Sequence, residues 1–147
     1  MGDIFKWISE ASILMVDKLK QLWQLAQFSL AKSGAKTKGK WAENLAERYL
    51  ELQGLILVER NFTCRGGEID LIMEHGEVLV FVEVRYRKDS NPLETINRAK
   101  ERRIIQCAEK YLLNYPSHLY PPCRFDVVLI QEQPVEEITW ITDAFRG

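Results

Sequence analysis

The segment from Val78 to Val84 constrains the fold most, because it is apolar at every position except Glu83. A strand that is apolar on both faces is typical of the centre of a sheet covered on both sides. A buried carboxylate left without a partner costs several kcal/mol. We therefore expect Glu83 to contact a cation or a metal ion, or to be protonated, inside an α/β domain.

The segments around this strand supply the remaining elements of such a sheet. Apolar residues at helical spacing predict one helix from Lys40 to Gln53 and a second from about Glu94 to Leu113. Strand-like segments cover residues 55–62, 68–73, 78–87, 125–130 and 138–141. The turn at residues 75–76 predicts an antiparallel pair, and the second helix is a crossover that brings residues 125–130 alongside an earlier strand. The prediction is a mixed central sheet flanked by helices.

The second helix has a clear apolar face. Its expected inward residues are Ile96, Ala99, Ile104, Cys107, Ala108, Tyr111 and Leu112.

Residues 1–37 form a separate region in this prediction, and residues 38–147 form the main domain. Residues 3–31 contain no Pro or Gly and carry a wide apolar helical stripe, and a basic, flexible linker follows from Lys32 to Gly39. We expect residues 3–31 to self-associate into a homodimer, with docking on the main domain as the alternative. Interspersed acids disfavour a membrane surface, and the features of a secretion signal are missing, so a cytoplasmic protein is expected.

Net charge and cysteine content exclude further classes of protein. The 20 Lys and Arg residues nearly balance the 21 Asp and Glu residues, so any nucleic-acid partner must be recognised by local charge. Three cysteines, Cys64, Cys107 and Cys123, stand at spacings that fit no zinc motif. We expect all three to be buried thiols of a reduced protein, with neither a disulfide nor a structural zinc site.

A second carboxylate belongs to a strand next to that of Glu83. Asp70 lies between Ile69 and Leu71 and poses the same burial problem. Two carboxylates that converge at a sheet suit a hard divalent ion such as Mg²⁺. Glu83 and Arg85 share a face because they are two apart in a strand. A plain ion pair between Arg85 and either carboxylate is therefore the alternative.

Several motifs between residues 38 and 147 occur together in a consistent order. They are Gly39–Leu50, Arg60-Asn-Phe62, Cys64-Arg-Gly-Gly-Glu-Ile-Asp-Leu-Ile72, Phe81-Val-Glu-Val-Arg-Tyr-Arg87, Lys100 with its basic neighbours, and Cys123-Arg-Phe-Asp-Val127. This combination resembles the YraN-like family of predicted bacterial endonucleases, distantly similar to archaeal Holliday-junction resolvases within the PD-(D/E)xK nuclease superfamily. The resemblance implies a restriction-endonuclease-like core made of a helix, a three-stranded meander, a crossover helix and a further strand.

The resemblance also implies roles for individual acids. By position, Asp70 and Glu83 resemble the two metal ligands of the family, with Mg²⁺ or Mn²⁺ as the cofactor. Glu43 resembles the additional acid of the resolvase-like branch and would complete the metal shell. On pattern alone, Glu43 instead belongs with Glu47 and Glu51 to a solvated helix face.

Two basic residues depart from the expected pattern. Arg85 stands where the superfamily has a lysine, and arginine keeps the charge but does not give up its proton. It would stabilise charge that develops on phosphate. Lys100 falls on the apolar stripe of the second helix, where it either belongs to the site and contacts phosphate or snorkels to solvent from the edge of the stripe. Lys88 and Lys100 are the amines available to replace the missing lysine.

The stretch from Arg85 to Arg103 is locally basic, with seven Lys and Arg residues against three acids. Its members expected to hold nucleic-acid phosphates are Arg87, Lys88, Arg98, Arg102 and Arg103. A solvated helix end that binds nothing is the alternative.

The residues and the resemblance together predict a metal-dependent endonuclease that cuts DNA, with branched or otherwise structured DNA as substrate and no small-molecule cofactor. One alternative is a non-catalytic nucleic-acid-binding module that has lost turnover through Arg85. Another is a structural or adaptor role led by residues 3–31.

Overall fold

A computed structural model describes residues 35–87, 97–116, 119–131 and 137–146. Its elements, in chain order, are α1 (Ala35–Leu52), β1 (Ile56–Cys64), β2 (Gly67–His75), β3 (Val78–Arg87), α2 (Arg98–Leu112), β4 (Cys123–Gln131) and β5 (Glu137–Phe145). The predicted helix of residues 3–31 lies outside these ranges. No helix within them is long and apolar enough to cross a membrane.

The five strands form one mixed sheet in the order β1-β2-β3-β4-β5. Strands β3 and β4 pair in parallel, and every other neighbouring pair is antiparallel. A parallel pair requires a crossover, which α2 provides. The predicted α/β architecture, the antiparallel turn and the crossover helix are therefore confirmed.

The two helices cover opposite faces of the sheet, because alternate residues of β3 pack against different helices. One buried cluster, here called the α1-side cluster, joins Ala42, Leu45, Ala46, Leu50, Leu71, Met73, Val80, Val82, Val128 and Ile130. The α2-side cluster joins Ile69, Ile72, Leu79, Phe81, Ile104, Cys107, Ala108, Tyr111 and Phe125. Strand β3 contributes to both clusters, as its apolar sequence predicts.

The starts of both helices differ from the predictions. Helix α1 begins at Ala35, so residues 35–39 are helical rather than part of a flexible linker. Ala and Lys favour helix strongly enough to carry the single Gly39. Helix α2 begins at Arg98, because Asn97 is an extended N-cap whose side chain accepts the N–H of Lys100 at 2.9 Å. The division between residues 37 and 38 stays a prediction, and α1 runs through it.

The first turn of α2 contains no buried residue. Ala99, which we expected to face inward, is exposed, and the buried side of the helix starts at Ile104. The expected inward residue Ile96 lies outside the described residues.

The predicted cysteine chemistry is wrong. Cys64 at the end of β1 and Cys107 in α2 form a disulfide, with their Cα atoms 5.5 Å apart. A Cβ on Gly67 would lie 3.3 Å from Cys107 Sγ, so glycine permits this close approach of strand and helix. Cys123 is a free thiol but is exposed rather than buried. Spacing gave no signal for the disulfide, because the fold brings together cysteines that are 43 residues apart.

Candidate functional site

A row of polar residues crosses the first three strands at one level. Strands β1 and β2 pair Phe62 with Ile69 and Arg60 with Leu71, which sets Asn61 opposite Asp70. The pairing of β2 with β3 ends at Leu71 and Val82, so Glu83 lies on the other side of Asp70. The registers therefore bring both predicted acids together.

The regular alternation of side chains reverses at this row. Asn61 has a φ of +50°, and its two neighbours contact different helices. Arg60 pairs with Glu47 of α1, whereas Phe62 packs edge-to-face on Tyr111 of α2. Residues two apart in a regular strand would share a face. The positive φ is thus the local cause of the reversal in β1.

Strand β2 reverses in the same way around Asp70. Ile69 belongs to the α2-side cluster and Leu71 to the α1-side cluster, although the two are two positions apart. Oδ2 of Asp70 accepts a hydrogen bond of 2.7 Å from the backbone N–H of Val84 on β3. The Asp70 carboxylate therefore bridges β2 and β3 just beyond the last residue pair of their ladder.

Glu83 is 1% exposed and contacts two cations. Arg85 Nε lies 3.0 Å from Glu83 Oε1, and Lys100 Nζ of α2 contacts the same oxygen. Both Glu83 oxygens and Arg85 Nε are buried and make no hydrogen bond with any described residue, so these contacts are ion pairs without hydrogen-bond geometry. As the sequence predicts, Glu83 has cationic partners, and the ion pair with Arg85 exists. Lys100 joins the site rather than snorkelling away from it.

The carboxyl groups of this row are electrostatically coupled. Burial, followed by the nearby charge of Glu83, raises the pKa of Asp70 to about 7. Burial also raises the pKa of Glu43 on α1, while a hydrogen bond from the Asn61 side chain lowers it. The charges of Glu43 and Glu83 each raise the pKa of Asp70. The ionisation of Glu43 is thus linked to that of the two strand acids.

Helix α1 does not have the solvated acidic face that the residue pattern predicts. Glu47 is 3% exposed and pairs with Arg60, and Glu43 is half-buried beside Asn61. Sequence reasoning missed Glu47, although its position one helical turn after Glu43 was a usable signal. Across the described ranges, no group of three or more Asp, Glu, His and Cys residues is close enough to hold a metal ion.

The donor set nevertheless suits a hard divalent cation. Oxygen ligands from carboxylates are those that Mg²⁺ and Mn²⁺ prefer. Both oxygens of Glu83 are buried without a hydrogen-bond donor among the described residues, which leaves lone pairs of the carboxylate available for a ligand bond. Asp70, whose pKa is about 7, exchanges its proton near neutral pH. Both strand acids are thus compatible with metal binding.

Comparison with known proteins gives the family. Residues 42–130 match the model of a family described as "Uncharacterised protein family UPF0102". The chain belongs to the UPF0102 family. A UPF0102 protein from Nitrosococcus oceani is 48% identical over 113 residues, which cover 74% of this chain and 91% of the relative. One from Janthinobacterium is 42% identical over 127 residues, covering 84% and 99%. One from Aeromonas hydrophila is 41% identical over 136 residues, covering 89% and 98%.

Membership of UPF0102 confirms the resemblance to the YraN-like proteins, a nuclease-like family. The matched segment contains the acidic row, both helices of the described fold except the start of α1, and strands β1 to β4 up to Ile130.

The basic residues of this UPF0102 chain extend away from the acids along α2. Arg98, Arg102 and Arg103 are exposed, and Arg87 is half-buried at the end of β3. The remaining expected phosphate contact, Lys88, lies outside the described residues. A cleft of about 310 Å³ is lined by Gly66, Gly67, Glu68, Lys100, Arg103 and Ile104. Lys100 thus contacts Glu83 and also lines the cleft.

A further buried acid, Asp126, has a structural role that the sequence did not indicate. Asp126 is fully buried and accepts hydrogen bonds from Arg124 Nε at 2.9 Å, Trp140 Nε1 at 2.9 Å and the backbone N–H of Asp143 at 3.0 Å. These bonds join β4 to β5 and occupy both carboxylate oxygens. The acid of the Cys123–Val127 motif therefore links β4 to β5 in this chain.

Proposed function

We propose that Asp70 and Glu83, the two acids in the row that crosses β1 to β3, form the centre of a metal-dependent endonuclease that hydrolyses phosphodiester bonds in DNA. The observation that carries the proposal is the pair of buried acids, Asp70 and Glu83, opposite each other on neighbouring strands. Burying two neighbouring acids costs free energy, and a bound cation would offset that cost. Membership of a nuclease-like family supports this proposal.

The proposal extends to the finer fold class. Helix α1, the β1-β2-β3 meander, the crossover α2 and the parallel strand β4 follow the order expected of a restriction-endonuclease-like core. Asp70 and Glu83, which the resemblance implies as metal ligands, lie on β2 and β3 of this meander.

Asp70 and Glu83 would hold Mg²⁺ or Mn²⁺, and Glu43 would complete the shell from α1. When bound, such an ion lowers the pKa of a water ligand and screens the charge of the scissile phosphate. The backbone N–H of Val84 keeps the Asp70 carboxylate oriented between the strands. The contacts of Glu83 with Arg85 and Lys100 hold its carboxylate in a single position.

Lys100 supplies the amine that the motif position lacks. Arg85 provides a fixed positive charge and hydrogen-bond donors but no exchangeable proton. Lys100 reaches the same Glu83 oxygen from α2, so its ammonium group can orient the attacking water. The chemistry usually assigned to one lysine is then divided between two residues, with Arg85 stabilising phosphate charge.

The basic side of α2 would bind the DNA backbone. Arg98, Arg102 and Arg103 are exposed on one helix, and Arg87 and Lys88 follow Glu83 in the chain. Such contacts hold phosphates without reading bases. A substrate chosen by shape, such as branched DNA, fits this mode of binding.

A non-catalytic nucleic-acid-binding module is the second candidate function. Arg85 favours it, because an arginine paired with Glu83 cannot act as a base. The two candidates share the DNA-binding surface and differ only in turnover.

A panel of single-stranded, duplex, flap and four-way-junction DNA separates the candidates. Binding and cleavage are measured on each substrate with Mg²⁺, with Mn²⁺ and with a chelator. If the protein is an endonuclease, it should cut DNA only with metal, and Asp70→Asn should abolish this cleavage. Glu74 is an exposed acid on the same strand, so Glu74→Gln should leave cleavage unchanged. Binding without cleavage under every metal condition would establish the module instead.

A further inference from the structure

We propose that the disulfide between Cys64 and Cys107 is a redox switch on DNA binding, because it holds the β1–β2 turn against α2 and so sets the shape of the cleft between them. This inference rests on the DNA-binding part of the proposed function and requires no metal ion. It assigns a role to a bond that the sequence did not indicate.

The disulfide joins the two walls of the cleft. Residues 66–68, at the β1–β2 turn and the start of β2, form one wall, and α2 forms the other with Lys100 and Arg103. Cys64 lies two residues before the first wall. Cys107 lies one helical turn after Arg103, on the same side of α2. The bond is therefore a covalent tie between the walls at one end of the cleft.

Close packing at Gly67 makes the cleft sensitive to this bond. A Cβ on Gly67 would lie 3.2 Å from Cβ of Arg103 and 3.3 Å from Sγ of Cys107. The turn and the helix are thus in contact beside the disulfide. Any movement of the turn changes the separation of Gly67 and Arg103, which both line the cleft.

The turn, rather than the helix, gains freedom when the bond breaks. Arg65 and Gly66 are exposed, so burial does not hold them in place. The hydrogen bond from Lys110 Nζ to the Arg65 carbonyl is exposed and long, at 3.4 Å. Helix α2 keeps its buried residues in the α2-side cluster, and Lys100 keeps its contact with Glu83.

A dithiol reductant opens the switch, and a disulfide oxidant closes it. A thiolate of the reductant attacks the sulfur of Cys64, which is half-buried, and the thiolate of the buried Cys107 leaves. The second thiolate of the reductant attacks its own sulfur in the mixed disulfide and releases Cys64. Two electrons pass to the protein, its two thiolates take up two protons, and the reductant becomes a disulfide.

The oxidised cleft presents cations from both walls to one DNA strand. Arg65 is exposed on the turn, and Arg103 is exposed on the helix. Contacts of Lys and Arg with phosphates supply most of the affinity that does not depend on base sequence. After reduction the turn no longer stays opposite Arg103, so a bound phosphate loses the contacts of one wall.

Fluorescence anisotropy of a labelled four-way junction, measured in a chelator, tests the switch on the full chain without metal or cleavage. Reduction of the wild type with dithiothreitol should raise its dissociation constant for the junction about tenfold, a usual size for coupling between two sites. Cys64→Ser should bind as the reduced wild type does and should not respond to dithiothreitol. The tryptophan bands of the near-ultraviolet circular dichroism should persist on reduction. Their loss would show that the bond holds the fold rather than the cleft and would overturn the inference.

Cys123→Ser is the matched control for the thiol chemistry, because Cys123 is a free and exposed thiol. The affinity of this variant for the junction should respond to dithiothreitol as that of the wild type does. A variant that no longer responds would assign the effect to Cys123 and would overturn the inference.

Two neighbouring arginines show whether the switch acts through the cleft. Arg102 and Arg103 are both exposed on α2, and of the two Arg103 lines the cleft. In Arg103→Gln, reduction should change the dissociation constant by less than about twofold, because the two losses are coupled. In Arg102→Gln, which should weaken binding in both redox states, the effect of reduction should stay at its wild-type size.

An equal effect of reduction in both arginine variants would overturn the inference alone. So would equal affinities of the oxidised and the reduced wild type for the junction. Absence of junction binding in both redox states would overturn the proposed DNA binding and this inference together.

Discussion

The backbone N–H of Val84 donates a hydrogen bond of 2.7 Å to Oδ2 of Asp70, across the point where β2 and β3 stop pairing. A side-chain oxygen thus takes a position that a strand carbonyl would occupy in a regular ladder. The same carboxyl group has a pKa of about 7, because burial and Glu83 oppose its ionisation. Asp70 therefore links β2 to β3 and also carries a negative charge that the metal-free fold disfavours.

Asp70→Asn should stabilise the metal-free protein at pH 8. The folded-state pKa of Asp70 is raised from 3.8 to about 7, so between these values the folded state binds more protons than the unfolded state. Stability then falls as the pH rises through this window, and the penalty is complete above pH 7. We expect the variant to melt roughly 5 °C higher at pH 8 in a chelator, and the difference to vanish near pH 4.

Calorimetry across this pH range checks the prediction, with Glu74→Gln as the control for loss of a carboxylate on β2. Glu74 is exposed, so its substitution should leave the pH dependence unchanged. A melting temperature below that of the wild type at pH 8 would mean that the Asp70 carboxylate stabilises the apo fold.

Lys100→Met should reduce single-turnover cleavage by about a hundredfold, which is the usual loss when a group that stabilises charge in the active site is removed. Arg85→Lys should raise cleavage, because it returns an amine to the position two residues after Glu83. The double variant, Arg85→Lys with Lys100→Met, should regain part of the activity lost in Lys100→Met. Lys110→Met, on the same helix but in contact with Arg65, is the control and should cleave normally.

Equal activity in Lys100→Met and the wild type would show that Lys100 only balances the charge of Glu83. Lower activity in Arg85→Lys than in the wild type would show that the guanidinium is adapted to this site. Either result would remove the division of roles between the two cations.

Digestion of the native protein under non-reducing conditions should yield a peptide that links Cys64 to Cys107, with Cys123 alkylated. Reduction should lower the free energy of unfolding by about 2–4 kcal/mol, because the bond closes a long loop in the unfolded chain. Mass spectrometry and denaturant titration measure the two effects. Alkylation of all three thiols before unfolding would contradict the disulfide.

Residues 3–31 are expected to form a homodimer, and this prediction concerns a segment outside the described ranges. Sedimentation of the full chain should give a dimer, and Met15→Glu with Leu22→Glu should give a monomer, because both residues belong to the apolar stripe. A monomer in both cases would contradict self-association.

The central part of the fold could be predicted from the sequence because periodicity reports burial directly. The apolar segment from Val78 to Val84 indicated a central strand, and Glu83 within it indicated a site with cationic partners. Lys100 on an apolar stripe indicated the same site from the helix. These three signals indicate the same site because a buried charged group requires a partner of opposite charge, even when that partner is distant in sequence.

Features that depend on contacts distant in sequence were missed. Nothing local to Cys64 or Cys107 indicates their disulfide, and Glu47 resembles a solvated acid until Arg60 is brought to it. The sequence also does not indicate the reversal of side-chain direction at Asn61, because strand prediction assumes that side chains alternate regularly. The resemblance located Asp70, Glu83 and Glu43, but only the registers show that Asn61 belongs to their row.

The rate of four-way-junction cleavage as a function of Mg²⁺ concentration tests the proposed endonuclease most directly. Wild-type protein stripped of metal should be inactive, gain activity with saturable Mg²⁺ dependence, and lose that activity in both Asp70→Asn and Glu83→Gln while Glu74→Gln retains it. Cleavage that survives in Asp70→Asn, or that is the same with and without Mg²⁺, would contradict a metal-dependent centre at these two acids.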